Sequence, residues 1–122
     1  MNKKILIVTE RRADYSRFKE ILKEINLKKN LKYILVATGI HLENDYGKTI
    51  NEIKKDGFKI THQFKMFDNK YLKNDDVAGM SRALSRCFKK ITEIIEIEKP
   101  DFILSGFDIA ANFALSVIGA HM

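Results

Sequence analysis

The sequence predicts an α/β protein with a doubly wound, mostly parallel sheet, and two observations lead to that prediction. Short apolar runs rich in β-branched residues alternate along the chain with longer segments of helical periodicity. No repeat, low-complexity tract or linker interrupts this alternation. Strands separated by helices pair in parallel through right-handed crossovers, and the helices cover both faces of the sheet.

The first predicted unit is a strand followed by a helix. Residues 4–8 form an apolar, β-branched run that is typical of a buried parallel strand. Residues 16–25 place Phe18, Leu22 and Ile25 on one helical face. The turn between strand and helix therefore lies at a strand's carboxyl end, where open α/β sheets bind ligands.

The second unit repeats this order. Residues 33–37 predict a strand that ends at Thr38, and residues 45–56 predict a helix that Gly57 terminates. Residues 58–64 then alternate apolar and polar side chains, which is typical of a half-buried edge strand.

The last part of the chain predicts a long helix, a core strand and a final helix. Residues 68–75 are polar and predict a mobile loop, and residues 76–99 form an amphipathic helix that stops before Pro100. Residues 101–104 predict the fourth strand, and the last helix starts at residue 109.

Composition limits the classes of function. The 122 residues are 45% hydrophobic and 31% charged, as in an ordinary globular domain. The net charge is +6, but basic and acidic residues are interleaved along the helices, so we expect no nucleic-acid partner. The single cysteine, Cys87, excludes an internal disulfide and a thiolate metal cluster. Its position in a helical apolar stripe predicts a buried structural thiol.

Neither end of the chain predicts a membrane segment. The first apolar run is too short for a signal peptide. Residues 102–122 are apolar, but Asp108 and Asn112 interrupt the roughly 20 apolar residues that a spanning helix needs. We therefore expect a cytoplasmic protein without membrane contact. The sequence stops inside an apolar helix that has no cap, so we expect residues 1–122 to be part of a longer chain.

Three turns should meet at one edge of the sheet, because the carboxyl ends of parallel strands share an edge. An arginine there could hold a phosphate through two parallel charge-assisted hydrogen bonds. A histidine could donate to an anion or shuttle a proton, and an aspartate could act as a general base. The candidate site residues at this edge are Arg12, Asp14, Ser16, His41, Gly106 and Asp108.

These residues also have structural interpretations. Arg12 can be a solvated arginine beside an N-cap formed by Asp14. His41 can pack a loop, and Asp108 can cap the last helix. The sequence contains no metal-ligand spacing, Walker loop or dinucleotide-binding glycine motif, so we expect no metal and no cofactor. Spacing alone predicts a ligand-binding edge and not a reaction.

Three ordered motifs extend over the whole chain. Residues 7–9 and 12–16 read Ile-Val-Thr and Arg-Ala-Asp-Tyr-Ser. Residues 38–42 and 45–49 read Thr-Gly-Ile-His-Leu and Asp-Tyr-Gly-Lys-Thr, and residues 99–101 read Lys-Pro-Asp. At this spacing the chain resembles the hydrolysing UDP-N-acetylglucosamine 2-epimerases, the branch that feeds the synthesis of sialic acid and related nonulosonates.

The resemblance implies a GT-B fold of two Rossmann-like domains with the sugar nucleotide between them. Residues 1–122 would be an incomplete N-terminal domain, without the second nucleotide-binding domain. The implied reaction eliminates UDP from UDP-GlcNAc and adds water to the glycal-type intermediate, which gives N-acetylmannosamine and UDP. Arg12 and Ser16 would contact the diphosphate and His41 would line the cleft, with Asp14 and Gly106 in the same substrate-binding set. A homo-oligomer is implied for the full-length protein.

The chain departs from the family pattern after the fourth strand. The family commonly has Gly-Asp-Arg there, with the aspartate in catalysis and the arginine in nucleotide binding, whereas this chain has Gly106-Phe107-Asp108. Asp108 is therefore a candidate replacement for the catalytic carboxylate. The family's His-x-x-Gly-Gly-Glu segment and second domain are also missing from residues 1–122, so we expect this portion alone to be inactive.

Several alternatives stay open. The substrate could be a modified UDP-sugar such as a diacetamido derivative. Another GT-B enzyme, for example a non-hydrolysing epimerase or a glycosyltransferase, is a second possibility, although the Arg-Ala-Asp-Tyr sequence argues against it. A third is a non-catalytic, flavodoxin-like binding domain that is complete at 122 residues.

Overall fold

The computed structural model of the protein describes residues 2–44, 47–69, 72, 78–106 and 110–122. The described residues contain four strands in a single parallel sheet of order β3-β2-β1-β4. In chain order the elements are β1 (Lys3–Thr9), α1 (Arg12–Asn26), β2 (Leu31–Ala37), a 3-10 turn (Gly39–Leu42), α2 (Ile50–Lys55), β3 (His62–Gln63), α3 (Gly79–Glu98), β4 (Phe102–Leu104) and α4 (Ala110–His121).

The strand order creates a switch point between β1 and β4. From β1 the chain moves outward to β2 and then β3, and it returns to the other side of β1 to form β4. Ile7 is level with Leu35 on one side and with Leu104 on the other, so these strands run in the same direction at matching height. In sheets of this kind the crevice beyond the carboxyl ends of the two diverging strands is the usual ligand-binding place.

Apolar side chains cover both faces of the sheet, as the doubly wound prediction requires. Ile7 points to the face covered by α1 and α2, whereas its neighbours Leu6 and Val8 point to the face covered by α3 and α4. All three are fully buried, and burial of such a side chain contributes about 1.5–3 kcal/mol. The predicted α/β class and the parallel sheet are confirmed.

Helix α1 begins earlier than predicted, at Arg12 rather than at residue 16. The Arg-Ala-Asp-Tyr motif is therefore the first turn of the helix. Asp14 is not the N-cap that one interpretation assigned to it, because Arg11 occupies that position in extended backbone. The Asp14 carboxylate instead reaches back and accepts the N–H groups of Glu10 (3.1 Å) and Arg11 (3.3 Å). Both N–H groups precede the helical hydrogen-bond ladder and would otherwise need water as a partner.

Helix α2 is shorter than the predicted helix of residues 45–56. Gly47 and Lys48 have φ values of 79° and 49°, which a right-handed helix excludes, and residues 45–46 lie outside the described residues. The predicted stop at Gly57 is confirmed, because this residue has a φ of 89° directly after the helix.

Strand β3 lies at the sheet edge as predicted, but it is shorter than residues 58–64. His62 and Gln63 lie level with Val36 and Ala37 of β2, and the backbone hydrogen bonds to β2 start at the Thr61 N–H, which donates to the Leu35 carbonyl oxygen at 2.8 Å. Phe58 is buried in the core with α1, and the Lys59 N–H donates to the Tyr33 hydroxyl at 3.0 Å instead of to a strand. Core packing at Phe58 therefore replaces the start of the predicted strand.

The remaining elements agree closely with the sequence prediction. Helix α3 ends at Glu98, where Lys99 takes a left-handed conformation (φ 48°) ahead of Pro100. Cys87 is fully buried as predicted, and burial raises the pKa of its thiol to about 12. Residues 76–77, residue 109 and most of the polar segment 68–75 lie outside the described residues. Among the helices that the structure describes, none has the length and hydropathy of a membrane span.

Candidate functional site

The candidate site is the carboxyl edge of the sheet, where backbone hydrogen bonds join the turns after β1 and β2. The Thr38 N–H donates to the Thr9 carbonyl oxygen at 3.0 Å, and the Ile40 N–H donates to the Glu10 carbonyl oxygen at 2.9 Å. The Thr38 hydroxyl donates to the Phe64 carbonyl oxygen at 2.6 Å, which ties in the segment after β3. These bonds fix the positions of the strand ends relative to one another.

Four side chains at this edge form a continuous hydrogen-bonded series, which we call the buried polar chain: Asp14, Thr9, His41 and Thr49. The Thr9 hydroxyl bonds Asp14 Oδ1 and lies 2.8 Å from His41 Nε2. His41 Nδ1 lies 2.7 Å from the Thr49 hydroxyl oxygen. Thr9 and His41 are fully buried, and Asp14 is 2% exposed. The series therefore links β1, α1 and the segment between β2 and α2 inside the protein.

The direction of each bond follows from the available protons. An ionised Asp14 can only accept, so the Thr9 proton points to Asp14 and the Thr9 oxygen accepts from His41 Nε2–H. His41 Nδ1 then accepts from Thr49. Burial lowers the pKa of His41 to about 4. Burial also raises the pKa of Asp14 to about 6, opposed by its hydrogen bonds from Thr9, Glu10 and Arg11. At neutral pH the buried polar chain contains an ionised Asp14 and a neutral His41, and both ring nitrogens of His41 are hydrogen-bonded.

Two predicted substrate-binding residues, Arg12 and Ser16, lie on the exposed side of α1. The Arg12 guanidinium forms a two-pronged ion pair with Glu52, with Nη2–Oε1 at 2.5 Å and Nε–Oε2 at 3.2 Å. Its side chain is 71% exposed. The Ser16 hydroxyl donates to the Ala13 carbonyl oxygen at 3.0 Å. A diphosphate that binds Arg12 through both prongs must therefore displace Glu52.

Tyr15 connects α1 to the residue that follows α2. Its hydroxyl donates to Asp56 Oδ2 at 2.5 Å, and its ring packs edge-to-face on His41 (6.3 Å) and Phe58 (6.4 Å). Burial and the bond to Asp56 raise the pKa of Tyr15, and the hydrogen bonds from Tyr15 and Lys19 lower the pKa of Asp56. Tyr15 is thus neutral, and its ring is held in place beside the His41 ring.

Glu10 and Arg11, which the sequence motifs did not single out, lie at the switch point directly after β1. Glu10 is fully buried. Its Oε1 accepts the N–H of Ala111, the second residue of α4, at 2.9 Å, and its Oε2 accepts from Arg11 Nη2 at 2.6 Å. The available signal was a carboxylate placed directly after a buried strand, since acidic residues are almost never buried without a partner.

Gly39 provides the space for the Glu10 side chain. A Cβ atom on residue 39 would lie 2.5 Å from Glu10 Cγ and 2.8 Å from the Glu10 carbonyl oxygen. Gly39 also has a φ of 64°, which residues with side chains rarely adopt. Both the conformation and the close approach therefore require glycine.

The turn after β4 is joined to the end of β1 by the buried Asn112. Its Nδ2 donates to the Val8 carbonyl oxygen at 3.2 Å, and its Oδ1 accepts from the Gly106 N–H at 3.4 Å. Gly106, a predicted site residue, therefore lies at the same edge as Glu10. Phe107 and Asp108 lie outside the described residues, so the catalytic role of Asp108 stays a prediction.

Cavity volume alone does not mark this site. A cavity of about 610 Å³ lies instead at the amino end of β4, between Pro100, Phe102 and Met122. In the part of the chain that the structure describes, no three histidine, cysteine or acidic side chains come together as a metal site would require. The candidate site is therefore defined by its polar side chains and its place at the switch point.

Comparison with known proteins decides the family. A family model described as UDP-N-acetylglucosamine 2-epimerase matches residues 23–122. The chain belongs to this family. The chain is 33% identical over 122 residues to the UDP-N,N'-diacetylbacillosamine 2-epimerase (hydrolyzing) of Legionella pneumophila. This match covers 100% of the chain and 31% of the Legionella enzyme, so the chain spans less than a third of that relative's length.

Solved structures of epimerases share the fold. A Listeria monocytogenes protein described as a putative UDP-N-acetylglucosamine 2-epimerase superimposes with a TM-score of 0.78 at 15% identity, over 99% of this chain and 29% of its own. The UDP-GlcNAc 2-epimerase of Neisseria meningitidis bound to UDP-GlcNAc gives 0.72 at 16% identity, over 93% and 28%. The predicted Rossmann-like part of a GT-B fold and the predicted family are both confirmed.

Proposed function

We propose that the protein is a hydrolysing UDP-sugar 2-epimerase, which converts UDP-GlcNAc or a related UDP-sugar and water into N-acetylmannosamine or its analogue and UDP. The observation that carries this proposal is the similarity, along the whole chain, to an enzyme described as hydrolysing. The structure of a family member bound to UDP-GlcNAc supports a UDP-sugar as the ligand. A diacetamido UDP-sugar is the second substrate to test, because it is the substrate named for the Legionella relative.

The proposed reaction has two steps that balance without an oxidant or reductant. In the first, a base removes the proton from C2 of the sugar and the C1–O bond to UDP breaks, so that UDP leaves with the bonding electron pair. In the second, water supplies a hydroxyl to C1 and a proton returns to C2 from the opposite face. Negative charge grows on the diphosphate as the bond to C1 breaks, so cations placed there stabilise the transition state.

The carboxyl edge offers groups for these tasks. Arg12 is proposed to bind the diphosphate after it exchanges Glu52 for phosphate oxygens, with Ser16 beside it on α1. Asp108 is the proposed catalytic carboxylate. His41 and Asp14 are held in the buried polar chain, so we propose that they shape the cleft wall by fixing the turns after β1 and β2.

The remaining parts of the proposal concern the whole protein. The relatives are more than three times as long as this chain. The GT-B fold that the family resemblance implies places the sugar nucleotide between two domains. We propose that residues 1–122 form an incomplete N-terminal domain, inactive without a second nucleotide-binding domain. A cytoplasmic homo-oligomer that acts in the synthesis of sialic acid or a related nonulosonate completes the proposal.

The direct test is to incubate the complete gene product with UDP-GlcNAc or with UDP-N,N'-diacetylbacillosamine in D2O. We expect release of UDP together with a free 2-epimerised sugar that carries solvent deuterium at C2, observed by NMR. Residues 1–122 alone should release no UDP. A 2-epimerised product that is still attached to UDP would show a non-hydrolysing epimerase. The absence of both products would contradict the proposal.

A matched pair of variants tests the role of Arg12. Arg12→Met should raise KM about tenfold or more, because it removes charge-assisted hydrogen bonds to the diphosphate. Lys23→Met removes one positive charge from the exposed face of the same helix, where Lys23 pairs with Glu20, and should leave KM unchanged. Equal effects of the two variants would indicate a general effect of charge.

A further inference from the structure

Glu10 and Arg11 form an ion pair at the carboxyl end of β1 that extends from the protein interior to the surface. Both Glu10 carboxylate oxygens are used, one by the Ala111 N–H and one by Arg11 Nη2. The Glu10 side chain is completely buried, whereas the Arg11 side chain is 37% exposed. Arg11 is therefore bonded to a buried carboxylate while part of its own side chain is exposed to solvent.

Arg11 keeps donors that no described residue uses. Glu10 accepts from Nη2 of the Arg11 guanidinium, and none of the described residues accepts from Nη1. Nε also lacks an acceptor there, but it is buried, so Nη1 and Nη2 are the donors that a ligand can reach. Arg12 already presents both Nε and Nη2 to the two oxygens of Glu52. A guanidinium recognises a phosphate through two parallel N–H groups. Arg11 can offer Nη1 and Nη2 while it stays bonded to Glu10, whereas a phosphate that binds Nε and Nη2 of Arg12 must displace Glu52.

Glu10 also fixes the direction in which Arg11 points. Its carboxylate accepts the N–H of Ala111 in the first turn of α4, and the whole side chain is buried. Arg11 is therefore bonded to a carboxylate that is itself held in place. A cation that is held in one orientation before binding loses less conformational freedom when the ligand arrives.

We propose that Arg11 binds the diphosphate of the UDP-sugar in addition to Arg12, and that Glu10 is the positioning residue that holds Arg11 at the switch point. The inference rests on the proposed function, whose diphosphate is the anion in question. Arg11 and Glu10 then belong to the substrate-binding groups at the carboxyl end of β1, beside the switch point of the sheet.

The test measures binding to the complete gene product by calorimetry, with UDP, uridine and inorganic pyrophosphate as probes. Arg11→Met and Glu10→Gln should each weaken UDP binding about tenfold and leave uridine binding unchanged, because only the diphosphate contacts are lost. The amide oxygen that Glu10→Gln introduces can still accept from Ala111, so the start of α4 keeps its partner. Glu10→Gln in the Arg11→Met background should cause no further loss, since Glu10 acts through Arg11.

Three outcomes would overturn the inference. These are UDP binding by Arg11→Met that equals the wild type, equal weakening of UDP and uridine in both variants, and additive losses in the double variant. Lys23→Met serves as the charge control, and Arg11→Lys tests the fork should Glu10→Gln fail to fold. A wild-type protein that binds pyrophosphate through Arg11 but no UDP would contradict the proposed function while it supports the anion site.

Discussion

Polar side chains are exposed at the amino end of the sheet and buried at its carboxyl end. At the amino end, Lys3 Nζ lies 3.9 Å from Asp101 Oδ1, and the two side chains are 48% and 38% exposed. Lys4 Nζ also donates at the surface, to the Glu98 carbonyl oxygen at 3.0 Å. At the carboxyl end, Thr9 is completely buried and its hydroxyl joins an acid to an imidazole.

This difference in burial decides what each contact contributes to stability. Exposed ion pairs contribute about 0–1 kcal/mol, because water and salt screen them. A buried polar group that loses its partner costs about 1–3 kcal/mol, because nothing replaces the lost hydrogen bond. At the carboxyl end, loss of a hydrogen-bond partner therefore costs more free energy, and the side chains are held in a fixed geometry, as a ligand site requires. The amino end is a solvated surface.

The largest effect that would sharpen this comparison is expected from Thr9→Val. The change keeps the shape of the side chain but leaves both Asp14 and His41 short of a partner, so the free energy of unfolding should fall by about 3 kcal/mol. Urea titration measures this loss. Thr92→Val on α3 is the control, since Thr92 bonds only the Phe88 carbonyl oxygen of its own helix, and it should change little.

The second effect concerns pH, where the two ionisable members of the buried polar chain act against each other. The pKa of Asp14 is about 6 in the fold against an ordinary value of 3.8, so its contribution favours the fold below pH 3.8 and is lost as pH rises through 6. The pKa of His41 is about 4 in the fold against 6.5, so its contribution is complete above pH 6.5 and is lost as pH falls to 4.

Single variants separate these opposing contributions. Between pH 6.5 and 4, His41→Gln should gain stability and Asp14→Asn should lose stability, each by on the order of 2 kcal/mol. Denaturant titrations at about pH 4, 5 and 6.5 measure the difference, and the wild type should lie between the variants. Parallel pH profiles for the two variants would show that neither group titrates as its burial predicts.

A smaller effect is expected from the contact between Gly39 and Glu10. Gly39→Ala adds backbone strain and a clash with Glu10, whereas Gly57→Ala adds strain alone, because nothing lies within 4 Å of its Cβ position. Gly39→Ala should therefore destabilise the fold by about 1 kcal/mol more than Gly57→Ala. The two melting temperatures provide the measurement, and equal losses would mean that both the side chain and the carbonyl oxygen of Glu10 can move aside.

The smallest effect should come from the amino end of the sheet. Lys3→Ala removes a long, half-exposed ion pair with Asp101 and should change the free energy of unfolding by less than about 0.5 kcal/mol. The change should be weaker still in high salt. A loss comparable to that of Thr9→Val would remove the distinction between the two ends.

The sequence predicts the fold well because the signals for the fold are periodic and local. The apolar strands, the stop at Pro100 and the buried Cys87 all follow from spacing along the chain. The errors lie where tertiary contacts override local pattern. Residues 58–64 alternate as a strand should, yet core packing of Phe58 removes the first half from the sheet.

The candidate site was harder to predict than the fold. The Arg-Ala-Asp-Tyr motif led to Arg12, but α1 begins at that residue and turns its side chain outward to Glu52. Glu10 was missed because Ala111 and Gly39, which contact it, are distant in sequence and no local spacing connects them. Arg11 was missed with it, because its partner is the buried Glu10 carboxylate. The outcome for Asp108 stays open, since that residue lies outside the described part of the chain.

The close approach of Gly39 to Glu10 constrains how this sequence can change over time. A side chain at position 39 would collide with the Glu10 side chain and also with the main-chain carbonyl oxygen of residue 10, which every amino acid carries. Shortening residue 10 therefore removes only part of the obstacle, and the positive φ of residue 39 stays. Related sequences are expected to keep glycine at position 39 even where residue 10 differs.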